Sequence, residues 1–186
     1  MVSAPTLHVV TTELAVGSFA MAGIGFLLAG LGSHGLLGMK RHLQLADHVA
    51  HFALAFGLLA LPFAIMTGIQ SSPGEGLDHP LLINKMLLGS SAFGLAFGVL
   101  LARRSHGADV WASPNGRRWQ ALGGMGAVGM VLLTASLGGT FARGESLLSW
   151  LPFSFDSVPL MPLWLSAGLV VLALVNMGLM RKQQSA

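Results

Sequence analysis

Long apolar stretches alternate with short polar clusters from one end of the chain to the other, and the stretches are too long for the strands or amphipathic helices of a soluble fold. Five segments, Leu14 to Met39, His48 to Gly74, Met86 to Ala102, Trp119 to Ala142 and Ser157 to Met180, contain no Asp, Glu, Lys or Arg. A hydrocarbon layer about 30 Å thick is crossed by about 20 helical residues rising about 1.5 Å each. Each segment therefore reads as a membrane span. Trimmed at Gly, Pro and polar clusters, the pattern predicts helices over about 6–31, 43–70, 80–102, 118–141 and 160–181, the third opened by Pro80. The expected fold is all-α. It is a polytopic membrane helix bundle in which a four-helix core over about 6–142 is followed by a fifth transmembrane helix, and residues 1–186 form one membrane domain.

Composition agrees with the pattern. Charged residues make up 9 % of the chain, against about 25 % in soluble domains. The absence of cysteine excludes disulfides, iron–sulfur clusters, thiolate metal sites and cysteine nucleophiles. A net charge of +3 without a basic stripe gives no reason to expect nucleic acid as a partner. No Ser-His-Asp or metalloprotease spacing is present, which removes the hydrolases. The placement of the few cations is more informative than their sum. Lys40, Arg41, Arg103, Arg104, Arg117, Arg118, Arg181 and Lys182, eight of the ten, fall on one side of the spans, while Lys85 and Arg143 fall on the other. Basic residues concentrate on the cytoplasmic side. The expected placement is thus a bacterial inner membrane, with the N-terminus outside and the C-terminus cytoplasmic. Met1 to Thr12 carries no Lys or Arg, so the first helix is expected to be retained rather than cleaved as a signal.

Seven histidines stand out in so apolar a chain, because ionisable groups at membrane depth are costly unless paired or ligated. His8 begins the first helix and His79 precedes the third, both at the expected outer face. Glu13 and Lys85 lie about one to two turns deeper on the same two helices, and their common depth predicts an ion pair. Imidazole is a common axial ligand, and facing helices of a bundle can supply ligands to one cofactor. His8 and His79 are therefore the candidate metal ligands of a haem, with Lys85 and Arg143 placed to neutralise its propionates. His51, one turn from His48 on the second helix, is the alternative, with Met125 or Met130 as its partner across a second possible haem. The small residues Ser90, Gly94 and Gly98 at four-residue steps in the third helix predict close packing within the bundle.

A wider pattern links several of these residues. Leu7-His8 opens the first helix, the second closes on Thr67-Gly68, His79 and Asn84 follow, Arg103 ends the third, and Leu137-Gly138-Gly139 lies near the end of the fourth. In order and spacing, residues 7 to 145 resemble the bacterial membrane family catalogued as domain of unknown function 2231. The resemblance implies a four-helix membrane core and singles out His8 and His79. Val9 and Gln70 stand where that family has a proline and an acidic residue, and the fifth helix is an addition.

The expected function is that of a haem-bearing, b-type cytochrome-like membrane subunit. It would pass electrons to or from a quinone or another membrane or periplasmic redox subunit, an electron-transfer component of an oxidoreductase complex and not a catalyst by itself. The expected cofactor is haem b, with quinone as a possible second. The rival expectation is a cofactor-free accessory subunit of a larger membrane complex.

Overall fold

The structure, a computed structural model, describes residues 3–71, 79–146 and 149. The expected fifth helix at 160–181 belongs to a separate unit, Ser157–Ala186, and lies outside the described residues. Within the described residues of the first unit the chain is helical without strands. Four long helices, α1 (Ala4–Ser33), α2 (Leu43–Ser71), α3 (Pro80–His106) and α4 (Pro114–Arg143), are joined by two short 3-10 segments, Leu36–His42 and Gly107–Trp111. All four are long and apolar enough to cross a membrane.

Local chemistry accounts for the ends. Ser3 caps α1 by accepting from the Thr6 backbone N–H, and Ser113 caps α4 in the same way through Gly116 N–H, each side chain satisfying a donor that the first turn leaves free. Pro80 and Pro114 open α3 and α4, where the missing N–H costs nothing and the ring presets φ. Gly144 stops α4 at φ 70°, a conformation that glycine adopts without steric penalty.

In the bundle, α1 lies against α2 and α4, and α3 lies against α4 and, more loosely, α2. Helices α1 and α3 thus stand at opposite corners. The core is built by placing aromatic rings over glycines. Phe19 and Phe26 are fully buried and seven residues apart, so they leave the same face of α1. A Cβ at Gly57 of α2 would come within 2.7 Å of the Phe19 ring, and one at Gly124 of α4 within 2.5 Å of the Phe26 ring. At Gly25 the contact is backbone on backbone, with a Cβ there lying 2.7 Å from the Ala50 Cα and N. Small residues let helices approach where burial of apolar surface gives no drive between them.

The outward surfaces are apolar as well. Phe52, Leu59, Phe63, Trp119 and Leu122 are all more than 60 % exposed, and a helix that is hydrophobic on every side belongs in a core or in lipid. The third helix departs from the expected packing. Gly94 and Gly98 are exposed, and a Cβ at either would meet nothing within 4 Å. Their face is turned away from the bundle.

Candidate functional site

Polar side chains inside the bundle gather at its two ends, and the two groups differ in completeness. At the end where α1 and α3 begin, His8 shares the core-facing side of α1 with Ala15, seven residues on. Its Nδ1 lies 3.3 Å from the Thr67 hydroxyl and 3.4 Å from that of Thr12. Thr67 also meets Thr11 at 3.1 Å and donates to the Phe63 carbonyl at 2.7 Å. The imidazole lies on Gly68, where a Cβ would come within 3.0 Å of His8 Cε1. The Thr67-Gly68 pair thus supplies a polar contact and the room for the ring.

His79 is the residue preceding the first turn of α3. Its ring packs edge-on against Phe141 of α4, with centroids 4.8 Å apart, and its Nδ1 is buried without a hydrogen-bond partner. Lys85 is half-buried on the core side of α3 and crosses to α4, its Nζ 3.1 Å from where a Cβ of Gly138 would stand. It is near enough to His8 for the two to interact electrostatically. Among the described residues Lys85 makes no hydrogen bond or ion pair. Arg143 is exposed in the last turn of α4, with its guanidinium over Gly139.

Glu13 corrects the expectation of a Glu13–Lys85 pair. It is exposed and lines a shallow groove on the outside of α1 and α2 with Leu14, Met21, Phe52 and Phe56. The physical reason is angular: five residues carry it about 140° around the helix from His8. Equal depth brought Glu13 and Lys85 to one level, but on different sides of α1.

The opposite end holds a network that sequence reasoning missed. Asp47 of α2 is 3 % exposed and accepts from three elements. Arg103 of α3 donates Nη2 to Oδ2 at 2.6 Å and Nε at 3.0–3.1 Å, and Trp111 of the following 3-10 segment donates Nε1 to Oδ1 at 2.7 Å. His51 Nδ1 lies 3.0 Å from Oδ1 and 2.8 Å from the Asp47 carbonyl. His51 Nε2 faces Gln120 Oε1 of α4 at 3.2 Å, and Gln120 in turn donates to the Val99 carbonyl. Phe26 closes over the imidazole edge-on at 5.1 Å. A ligand nitrogen must be free, and both nitrogens of His51 are occupied here. Its intended partners are no better placed, since Met125 is 40 % exposed and Met130 packs against the apolar core. One signal could have exposed the network: Asp47 and His51 are four residues apart, hence on one face, and Asp47 sits inside an otherwise apolar helix.

The chemistry open to each end follows. The network around Asp47 has a partner for each of its buried polar atoms and binds four elements together, while at the same end the buried Arg117 Nε has no hydrogen-bond partner among the described residues. At the His8 end, one amine and one ring nitrogen have nothing to bind among the described residues, and this is where an acceptor, an anionic group or a metal could be received. Among those residues no group of three or more His, Cys, Asp or Glu is placed to hold a bare metal ion; an axially ligated haem needs only two histidines. No protein family, curated protein or solved structure matches the chain.

Proposed function

We propose that the protein is a multi-pass subunit of a bacterial inner membrane that carries a haem b at its outer end and exchanges electrons with a quinone or a membrane or periplasmic redox partner. The observation that carries this reading is the unfinished chemistry around His8: among the described residues, a half-buried Lys85 amine has no acid beside it and a buried His79 nitrogen has no hydrogen bond. Unmet polar groups in an apolar bundle are costly, and a bound group with acidic and ligand-accepting atoms removes that cost. The donor set fits. His8 and His79 would ligate, the Thr67 and Thr12 hydroxyls would orient the His8 ring through Nδ1 as outer partners of ligating histidines do, and Lys85 and Arg143 would offset propionate charge. Haem, when bound, carries the electron, while the chain contributes ligation, burial and nearby charge. Helices α1 and α3 stand at opposite corners of the bundle, so ligation by both histidines requires the two side chains to reach towards its axis.

Purified protein should show a Soret band and a sharp reduced α-band. His8→Ala and His79→Ala should each remove the low-spin spectrum, and His42→Ala and His106→Ala should leave it. A colourless protein, or a spectrum indifferent to both histidines, overturns the reading. A cofactor-free accessory subunit is the second reading, and one observation favours it: the outward face of Ser90, Gly94 and Gly98 meets nothing in its own bundle and has the form of a helix-docking surface.

A further inference from the structure

The seam between α2 and α3 is the most open of the four in the bundle, and it forms a groove of about 280 Å³ on the outer surface. Ala55, Leu58 and Leu59 form one wall, and Phe97, Leu100 and Leu101 the other. The lining has a single charged residue, Arg104, and it stands at one end of the groove. Phe97, Leu100, Leu101 and Arg104 follow one another at helical three- and four-residue steps, so the apolar run and the guanidinium share a face over about 10 Å of helix. Arg103 and Arg104 are neighbours with opposite assignments. Arg103 turns inward to Asp47, while Arg104 is exposed and makes no hydrogen bond or ion pair among the described residues. On α2, His48 is seven residues before Ala55 and eleven before Leu59, which places it on the same helical face. It is exposed and nearer the Arg104 end.

We infer that this groove is a binding site for one anionic phospholipid of the cytoplasmic leaflet, with an acyl chain along Leu58, Leu59, Phe97, Leu100 and Leu101 and the phosphate on Arg104, with His48 beside it. The inference rests on the membrane placement proposed above. Charge complementarity selects the occupant. An apolar trough that runs to an uncompensated guanidinium at the membrane boundary matches a molecule with a hydrocarbon tail and an anionic head, and a cation near an anionic bilayer surface contributes about a fivefold preference.

Native mass spectrometry of the full chain, released from detergent after incubation with phosphatidylglycerol or with phosphatidylcholine of the same chain length, tests the site. One phosphatidylglycerol should be retained about fivefold over phosphatidylcholine. Arg104→Gln should bring the two towards parity, Arg118→Gln, an exposed arginine at the same end but outside the groove, should not, and Leu101→Trp should weaken retention of both. Equal retention of the two lipids by the unaltered chain, or an Arg118→Gln effect as large as that of Arg104→Gln, overturns the proposal. So does displacement by water-soluble glycerol phosphate, which would make this a bare phosphate site, or retention of a neutral isoprenoid quinone that ignores Arg104→Gln. An alkaline carbonate wash separates the failures. Release of the chain from membranes removes the membrane reading itself, whereas a retained chain without lipid preference removes only the lipid site.

Discussion

Asp47 is held by Arg103 and Trp111 from other elements and by His51 one turn along its own helix. Removing one member of a buried ion pair strands the other, at a cost of about 3–5 kcal/mol, whereas removing both together is much less damaging. Arg103→Met and Asp47→Asn are each expected to destabilise by that order, and the double variant by less than the sum, in a detergent-unfolding double-mutant cycle. Additive losses would mean that the pair carries no coupling. Glycine substitutions should divide just as sharply. Gly25→Ala drives a methyl into the Ala50 backbone and should cost about 1–3 kcal/mol as overpacking, while Gly17→Ala, with open space around it, should leave stability unchanged or raise it by up to about 1 kcal/mol. Residue depth was legible in the sequence and residue direction only in part. His8 and Lys85 were placed at one end by counting along their helices. Glu13 was misassigned because counting ignored the angle around α1, and of the Asp47 network only the His51 contact was open to a local pattern, since Arg103 and Trp111 lie 56 and 64 residues away.

The elements themselves were the most readable level, because uninterrupted apolar runs of this length have few alternatives to helices. The expected 6–31 and 43–70 became Ala4–Ser33 and Leu43–Ser71. The third and fourth helices extend four residues further than expected at their facing ends, to His106 and from Pro114. Charge was taken there as a stop signal, yet Arg103 stays helical because its guanidinium turns inward to Asp47, and Ser113 with Pro114 starts α4 ahead of the arginines. The glycines of α3 were legible as a small-residue face but not as an outward one, since spacing says which residues share a side and not what covers it. Gly94→Leu should therefore leave the unfolding of the isolated protein unchanged. If the accessory-subunit reading holds, the same change should abolish co-purification with the larger complex. At the far end of α2, Gly68→Ala should displace the His8 ring and, on the haem reading, shift or broaden the reduced α-band without unfolding the bundle.

For the molecule as a whole, the proposed orientation is open to a direct test. Ser3 and Ser105 are exposed and lie at opposite ends of the bundle, so a cysteine at Ser3 should react with an impermeant maleimide from outside intact cells and a cysteine at Ser105 should not. The reverse labelling would invert the topology drawn from the basic residues. The Asp47 network has a further consequence, one of time. The ribosome releases Asp47 56 residues ahead of Arg103 and 64 ahead of Trp111, an interval of about 3–13 s at about 5–20 residues per second. During that interval the α1–α2 hairpin carries an acid whose cation has not yet been made. A nascent chain stalled with Ser71 just clear of the ribosome should accordingly hold α2 poorly in the bilayer, and one stalled with Trp111 clear of it should hold α2 firmly, so that the first hairpin is completed in retrospect by the second.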